Sequence, residues 1–322
     1  MDESEIIGWV ESIFDGQVTN GAQSFRNDAA VLMPVADGAR RVLSSDCSVE
    51  DHDFSLSYDV TTQHSLPFCA GHRVIQQNIS DLAAMGAEPV AFQWSLCIPS
   101  RWLEHQGALL KQFLEGASLA SRKAGLSLAG GDLSKTDGPF VAAVTIWGDV
   151  QGVPISREHA QPGDDVWITG PLGASAHGLE LLRNSKAEPK EAIERHLMGM
   201  SRANLGRELA GVAHACIDLS DGFARDLHRL CALSGVGARI RDVMALVDQA
   251  AGTGERAVER ALFGGEDFEL LFTAAPGVLA SHLAKQCLRV GTICADLEIA
   301  IEDADKGMIP LENKGFDHFE IP

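Results

Sequence analysis

Six aspartates of this 322-residue chain lie in polar or glycine-containing stretches beside apolar segments. They are Asp28, Asp46, Asp81, Asp132, Asp218 and Asp221. Carboxylates placed where strands of an α/β layer end can converge at one edge of that layer, and oxygen ligands are those that Mg²⁺ and Ca²⁺ prefer. Without such a cation, like charges at close range force protonation. The pattern therefore predicts a magnesium-type site.

Aspartate is also common in turns and helix caps, which explains any one of these positions on its own. Six similar positions weaken that explanation. Asp81 is the hardest to explain in this way, because it lies within an apolar helix pattern where an unpaired carboxylate is costly.

Two glycine pairs, Gly130-Gly131 and Gly264-Gly265, each precede an acidic residue. Such pairs allow a phosphate or a metal-bound ligand to approach the backbone closely, although they more often mark tight turns. No Gly-Lys dipeptide occurs, so a Walker A loop is absent, and the protein-kinase HRD and DFG motifs are absent too. Any nucleotide chemistry must therefore use an acidic, metal-rich site. Arg157 lies in a polar turn, where a phosphate ligand and a solvated arginine look alike.

The composition excludes several classes of function. Lys plus Arg is 26 and Asp plus Glu is 45, which gives a net charge of −19 and argues against nucleic-acid or anionic-membrane surfaces. The seven cysteines have no CxxC spacing, as is typical of reduced thiols in a cytoplasmic protein. The acidic N-terminus is unlike a signal peptide, and no apolar run is long enough to span a membrane. We therefore expect a cytoplasmic protein.

Strand patterns alternate with helix patterns of 15 to 20 residues, which predicts an α/β protein with a boundary near residue 150. In the first half we expect helices at 3–14, 68–85 and 102–124, and strands at 29–35, 41–48, 90–98, 126–128 and 140–147. In the second half we expect strands at 165–169, 216–219, 237–241, 269–273 and 289–293, and helices at 174–183, 191–198, 203–213, 223–232 and 279–286.

Five stretches together resemble the thiamine-monophosphate kinase family, whose superfamily includes aminoimidazole ribonucleotide synthetase, selenophosphate synthetase and the hydrogenase-maturation dehydratase. They are NISDLAAMGA at 78–87, GGD at 130–132, IDLSDG at 217–222, GGEDFEL at 264–270 and KGFDHF at 314–319. Each stretch is a weak signal, but the five occur in family order and span nearly the whole chain.

The resemblance implies the two-domain α/β fold of aminoimidazole ribonucleotide synthetase. Residues 1–150 would bind ATP and magnesium and pair their sheet with that of a second copy into a barrel, and residues 151–322 would form a C-terminal α/β domain. It also implies ATP-dependent phosphorylation of thiamine monophosphate to thiamine diphosphate by a homodimer that uses several Mg²⁺ ions.

The resemblance also assigns roles to individual residues. The magnesium ligands would be Asp28, Ser45, Asp46, Asp81, Asp132, Asp218 and Asp221, and Asp81, Asp132 and Asp218 would be catalytic. The ATP contacts would be Gly130, Gly131, Asp132, Arg157 and Ser220. The thiamine monophosphate contacts would be Asp53, Glu266 and Phe316. A phosphate acceptor is already ionised at neutral pH, so in-line transfer needs positioning and charge neutralisation and no strong general base.

The chain departs from the family pattern mainly near its start. Asn27 stands where the family has aspartate, Asp51 where it has glycine, and Asp53 where it has the substrate-side histidine, which neighbouring His52 could replace. Asp53 could repel a substrate phosphate unless a cation bridges them. Near the other end, Phe316 replaces tyrosine or tryptophan and keeps the aromatic face without a polar handle.

These departures motivate one alternative, a diverged paralogue that binds nucleotide or thiamine phosphate without turnover. Another is a superfamily enzyme with a different acceptor. A selenophosphate synthetase would carry a reactive cysteine near its start, whereas the first cysteine here is Cys47. The hydrogenase-maturation enzyme would end in cysteine, whereas this chain ends at Pro322. Aminoimidazole ribonucleotide synthetase is less similar in its motifs.

Overall fold

The computed structural model describes residues 30–34, 38–303 and 305–317, and it describes 30–34 by the backbone alone. The predicted helix at 3–14, Asn27 and the candidate ligand Asp28 lie outside the described residues. Among the helices that are described, none is long and apolar enough to cross a membrane.

The first half of the chain forms a five-stranded sheet of order β1-β2-β5-β3-β4. Its strands are β1 (Ala30–Pro34), β2 (Ala39–Val49), β3 (Glu88–Pro99), β4 (Ser127–Thr136) and β5 (Val141–Gln151). Neighbouring strands are antiparallel except β3 and β4, which are parallel. Helices α1 (Leu66–Ala84) and α2 (Glu104–Ala124) pack against each other, and the core on this side of the sheet includes Val74, Phe113 and Ile146.

The second half forms a seven-stranded mixed sheet of order β12-β11-β8-β10-β6-β9-β7. Its strands are β6 (Asp165–Ile168), β7 (Ala215–Asp218), β8 (Gly237–Arg241), β9 (Leu270–Ala274), β10 (Leu288–Cys294), β11 (Ile299–Asp303) and β12 (Gly307–Pro310). The helices are α3 (Ala174–Arg183), α4 (Lys190–Met198), α5 (Ala203–Leu209), α6 (Phe223–Ser234), α7 (Glu255–Phe263) and α8 (Ser281–Ala284).

These two layered halves confirm the predicted α/β class, and most predicted elements are present within a few residues. Three elements were not predicted: α7, β11 and β12. Strand β4 was expected to end at 128 but continues to Thr136, so Asp132 lies within a strand and not in a turn after it. Asp46 likewise lies within β2, which continues to Val49. The expectation that these two aspartates follow strand ends was therefore wrong.

The sequence pattern did not predict the full length of strand β4, because nearly all of its side chains are exposed. An edge strand that is covered on neither face shows no alternation of apolar and polar residues, and the glycines in it read as a turn. The polar sequence SLAGGDLSKT therefore shows no strand pattern.

Helix α1 is buried on most of its surface because it lies between the first sheet, helix α2 and the second half of the chain. Gly71 faces the carbonyl oxygen of Phe113 on α2, and Gly116 of α2 faces the carbonyl oxygen of Phe68. A Cβ atom at either glycine would overlap backbone, so only glycine permits this helix crossing.

We expect Gly71→Ala to lower the free energy of unfolding by about 1–3 kcal/mol, because the added methyl group must push the two helix backbones apart. The measurement is chemical denaturation of both proteins. Gly138→Ala is the matched control, since a Cβ there would make an ordinary contact of 3.4 Å with Thr136. Equal stability of Gly71→Ala and wild type would contradict the tight crossing.

Candidate functional site

Asp46 and Asp81 face each other across the interface between β2 and α1. Alternation along β2 turns Ser44 and Asp46 toward the helix, where the Ser44 hydroxyl donates to Asp81 Oδ2 at 2.5 Å. Gln77, one helical turn before Asp81, donates to Asp46 Oδ2 at 2.6 Å, and the backbone N–H of Cys47 donates to Asp46 Oδ1 at 2.8 Å. These donors orient the carboxylates and, being neutral, do not compensate their charge.

Ser45 lies on the opposite face of β2, since successive side chains alternate between the faces of a strand. Its hydroxyl donates to the carbonyl oxygen of Val144 at 3.0 Å and lies 3.2 Å from Thr145 Oγ1. The structure therefore does not bring the Ser45 hydroxyl to the Asp46 and Asp81 carboxylates. Within the described ranges, no three His, Cys, Asp or Glu side chains are grouped closely enough to hold a metal ion.

The second part of the candidate site is the loop after β7. Asp218 ends this strand and is buried. Two residues earlier on the same strand face, Cys216 packs in one cluster with Ala83 and Ala84 of α1. Because side chains two apart share a face, Asp218 is directed to the side of the strand that faces α1, the helix that carries Asp81.

The loop after β7 is joined by main-chain hydrogen bonds to the segment that precedes β9. The N–H of Glu266 donates to Ser220 O at 2.8 Å, and the N–H of Phe268 donates to Leu219 O at 3.0 Å. The N–H of Leu219 donates to Glu269 O at 2.8 Å. These bonds place the predicted ATP contact Ser220 beside the predicted acceptor contact Glu266.

The C-terminal segment lies on the other side of the same loop. The N–H of Phe316 donates to the carbonyl oxygen of Asp221 at 2.9 Å. A Cβ at Gly315 would overlap that carbonyl, so glycine is needed for this approach. The Phe316 residue is 49% exposed, so its ring has a face open to solvent. The Asp221 carboxylate accepts a hydrogen bond from Arg229 at 3.1 Å.

Buried groups of α1 and α4 fix the position of Glu266. Its backbone has φ +67°, and its carboxylate forms an ion pair with Arg73 of α1, which also donates to His196 O. The Arg73 guanidinium lies 5.6 Å from the centre of the Phe268 ring. His196 Nδ1 is 3.5 Å from Glu266 Oε2, and burial lowers the pKa of this imidazole to about 3, so the ring is neutral. The Arg73–Glu266 pair thus connects the two halves of the chain.

Asp53 lies in the turn after β2, and its carboxylate accepts the backbone N–H of Val49 at 2.7 Å. Asp51, two residues earlier, has φ +67°, a left-handed conformation that glycine adopts most readily and aspartate tolerates. Its carboxylate accepts the Ser55 hydroxyl at 2.9 Å. Both departures from the family pattern therefore have local partners within the turn.

Gly130, Gly131 and Asp132 lie on edge strand β4. Gly131 passes so close to the carbonyl oxygen of Trp94 on β3 that a Cβ would not fit. Asp132 is exposed and accepts the Ser134 hydroxyl at 3.0 Å. Strands β5 and β3 lie between β2 and β4, so β4 is about 14 Å from β2. Within one chain the sheet does not bring Asp132 to Asp46.

Arg157 precedes the second sheet and is partly buried. Its positive charge acts on the fully buried carboxyl group of Asp226, which accepts a hydrogen bond from the backbone N–H of Asp221. Burial and the Asp221 carboxylate raise the pKa of Asp226, whereas Arg229 and Arg157 lower it. Arg157 is therefore close to the loop that carries Ser220 and Asp221.

Three contributing residues escaped sequence analysis. Gln77 precedes Asp81 by four residues, a spacing that places both on one helix face and could have revealed it. Asp226 follows Asp221 in the first turn of a helix pattern, where an acidic residue reads as favourable for the helix terminus. Nothing in the sequence distinguishes His196 from an ordinary helix residue.

The loop that carries Glu266 also caps a helix through Asp267. This buried carboxyl group accepts the N–H of Gly173 at 2.7 Å and that of Ser175 at 3.2 Å, at the start of α3. Burial raises the pKa of Asp267 to about 7, although the two N–H groups lower it. Since the pKa is higher in the folded chain, the stability gained from the protonated form is present at low pH and lost as pH rises through about 7.

We expect Asp267→Asn to make stability less dependent on pH, because the amide stays neutral. The free energy of unfolding of wild type minus that of the variant should fall between about pH 4 and about pH 7. The matched control is Asp248→Asn, at a partly exposed carboxylate that accepts the N–H of Ala250 at 2.7 Å. A difference that rises with pH would contradict the raised pKa.

Comparisons with known proteins agree with this architecture. The family model for the AIR synthase related protein, N-terminal domain, matches residues 26–150, and the model for the C-terminal domain matches residues 161–301. The chain is 33% identical over 309 residues to a thiamine-monophosphate kinase of Bacillus subtilis, covering 91% of this chain and 92% of that one. It is 33% identical over 313 residues to that of Escherichia coli K12, covering 92% and 91%.

Solved structures show the same relationship. A structure of AaThiL complexed with AMPPCP and TMP has a TM-score of 0.85 and 26% identity, covering 99% of this chain and 97% of that chain. Thiamine monophosphate kinase from Aquifex aeolicus has a TM-score of 0.79 and 26% identity, covering 96% and 99%. The fold, the five motifs in their order and full-length identity above 30% together show that the chain belongs to the thiamine-monophosphate kinase family.

Proposed function

We propose that this chain transfers the γ-phosphoryl group of ATP to thiamine monophosphate and forms thiamine diphosphate. The observation that carries the proposal is the position of the loop after β7. Its main chain is hydrogen-bonded to Glu266 on one side and to Phe316 on the other. The residues predicted to contact ATP and those predicted to contact thiamine monophosphate are therefore adjacent. Relatives of the same length that are thiamine-monophosphate kinases, and a similar structure with AMPPCP and TMP, support the same reaction.

The residues suit a transfer between two phosphates. The acceptor oxygen is already ionised at neutral pH, so no group has to remove a proton from it, and catalysis comes from alignment and charge neutralisation. Hydrogen bonds from Ser44 and Gln77 fix the carboxylates of Asp81 and Asp46 before substrate binds. Fixed carboxylates lose less entropy when they engage a metal-bound phosphate.

The donor set of these carboxylates fits Mg²⁺. This ion is usually bound through one or two carboxylates, with waters and substrate phosphates completing an octahedron, and not by an all-protein cage. Asp46 and Asp81 supply such a pair, and we propose Asp218 as a third ligand from the second half of the chain. When bound, Mg²⁺ neutralises charge on the transferring phosphoryl group. Asp28, Asp132 and Asp221 remain predicted ligands.

At the acceptor end, we propose that Phe316 and Glu266 contact the organic part of thiamine monophosphate. The exposed face of Phe316 offers an apolar and electron-rich surface to a cationic ring. The Glu266 carboxylate is anchored by Arg73 and therefore keeps a fixed orientation. The Asp53 carboxylate accepts a hydrogen bond from the N–H of Val49 at 2.7 Å, which reduces its repulsion of an incoming phosphate.

The test is formation of thiamine diphosphate by purified protein with ATP, Mg²⁺ and thiamine monophosphate, identified by chromatography. Thiamine and aminoimidazole precursors serve as alternative acceptors. We expect Asp81→Asn and Asp218→Asn each to lower kcat by about a hundredfold or more, because charge neutralisation is the main catalytic contribution. Asp296→Asn, at an exposed aspartate paired with Arg239, is the control. ATP binding without turnover in the wild type would indicate the diverged paralogue instead.

We also propose that the chain forms a homodimer through the first sheet. The face of this sheet away from α1 and α2 carries Ser45, Cys47 and Ser95, which are exposed, and Ala143, which is half-buried. Edge strand β4 exposes two leucines, Leu128 and Leu133. An open sheet face with exposed leucines on its edge strand is typical of a surface that a partner covers.

We expect Ala143→Arg to convert the dimer into a monomer, because a two-fold interface brings the same patches of both copies together and each arginine would face its partner's sheet. Sedimentation velocity measures the mass. Gln286→Arg, at an exposed site on the second half, is the matched control. A monomeric wild type, or a dimeric Ala143→Arg variant, would contradict the proposed interface.

A further inference from the structure

Arg225 lies in the first turn of α6 and contacts both ends of the proposed site. Its Nη1 donates to the carbonyl oxygen of Phe316 at 2.5 Å, and its Nη2 donates to Asp317 Oδ2 at 2.7 Å. Its Nε is 3.9 Å from Asp221 Oδ2. One guanidinium therefore connects the loop after β7 to two consecutive residues of the C-terminal segment.

This segment needs external contacts to be ordered. Residues 311–317 belong to no helix or strand, so no ladder of main-chain bonds holds them. Their described contacts include His228 Nε2 with Leu311 O at 2.8 Å and the N–H of Phe316 with Asp221 O at 2.9 Å.

The guanidinium is suited to fix this segment. It is planar and presents its donors in a rigid fork, which can engage a carbonyl oxygen and a carboxylate together. The Asp317 side chain is 8% exposed, so its bond to Arg225 is shielded from water and stronger than a surface ion pair. A Cβ at Gly315 would lie only 2.7 Å from Cβ of Arg225, so glycine is needed where the segment passes this side chain.

We propose that Arg225 is a positioning residue that sets the place of Phe316 relative to the loop of Asp218, Ser220 and Asp221. The inference rests on the proposed function, because it gives the Phe316 ring the role of receiving the acceptor. Arg225 then determines the distance between the bound acceptor and the phosphate-binding residues without touching either substrate.

Arg225 is not needed to form its helix. The first turns of α6 are anchored by the buried side chains of Phe223 and Leu227, and the helix ends in a left-handed Gly235. We therefore expect Arg225→Ala to fold with an unchanged helix and a loosened C-terminal segment.

The experiment compares steady-state kinetics and hydrogen exchange of wild type, Arg225→Ala and Arg225→Lys. We expect Arg225→Ala to raise KM for thiamine monophosphate about tenfold, while kcat and KM for ATP change less than about threefold. Peptides covering 312–317 should exchange faster in the variant without ligand, because the Phe316 carbonyl oxygen and the Asp317 carboxylate lose their donor and the segment is held less firmly against Asp221. Lysine supplies one donor nitrogen in place of two, so the KM of Arg225→Lys for thiamine monophosphate should lie between those of wild type and Arg225→Ala.

Arg241→Ala is the matched control, since Arg241 pairs with Glu302 on the exposed part of the second sheet. Asp317→Asn is a second variant that keeps Arg225 and removes its charged partner, and we expect a smaller rise of KM in the same direction.

The outcomes separate the inference from the function on which it rests. An active wild type with an Arg225→Ala variant of unchanged KM overturns the inference alone. Equal increases of KM for both substrates, with faster exchange throughout α6, would show a structural role and also overturn it. A wild type that forms no thiamine diphosphate overturns the proposed function and this role together.

Discussion

The close backbone crossing between α1 and its neighbours is the constraint on which the rest of the structure depends. Gly71 and Gly116 let α1 and α2 approach until side-chain atoms no longer fit between them, and Gly206 of α5 approaches the carbonyl oxygen of Ala83 in the same way. A helix fixed on three sides cannot rotate or slide. Its polar residues can therefore occupy buried positions with defined partners, which a loosely packed helix could not offer them.

This fixed helix distributes the site over both halves of the chain. One face of α1 directs Asp81 and Gln77 to β2, and another directs Arg73 to Glu266 in the segment before β9. Neither half holds all the proposed groups, so the separation between the carboxylates and the acceptor end depends on how α1 packs. A packing defect at Gly71 would consequently disturb phosphoryl transfer even though the glycine is remote from the reacting atoms.

The sequence was sufficient to predict the α/β class, most elements and the family, because apolar periodicity and the five motifs are local signals. It was insufficient where burial decides the structure. Asp132 looked like a residue after a strand because the glycine pair before it read as a turn, yet β4 continues to Thr136. That Ser45 and Asp46 point to opposite faces, by contrast, already follows from the predicted strand at 41–48, because successive side chains of a strand alternate. The ion pair of Arg73 with Glu266 joins residues far apart in sequence, so no local sequence pattern predicts it.

The unusual turn after β2 is explained by its own geometry. Asp51 adopts the left-handed conformation that the family glycine would adopt, and Asp53 accepts the N–H of Val49. Both acidic residues thus have hydrogen-bond partners within the turn. Because the Asp53 carboxylate is engaged within the turn, we propose that selection of the acceptor depends more on Glu266 and Phe316. Their positions depend on Arg73, which forms an ion pair with Glu266, and on Arg225, which donates to the carbonyl oxygen of Phe316. In this acidic chain two arginines thus hold the Glu266 carboxylate and the Phe316 main chain in place.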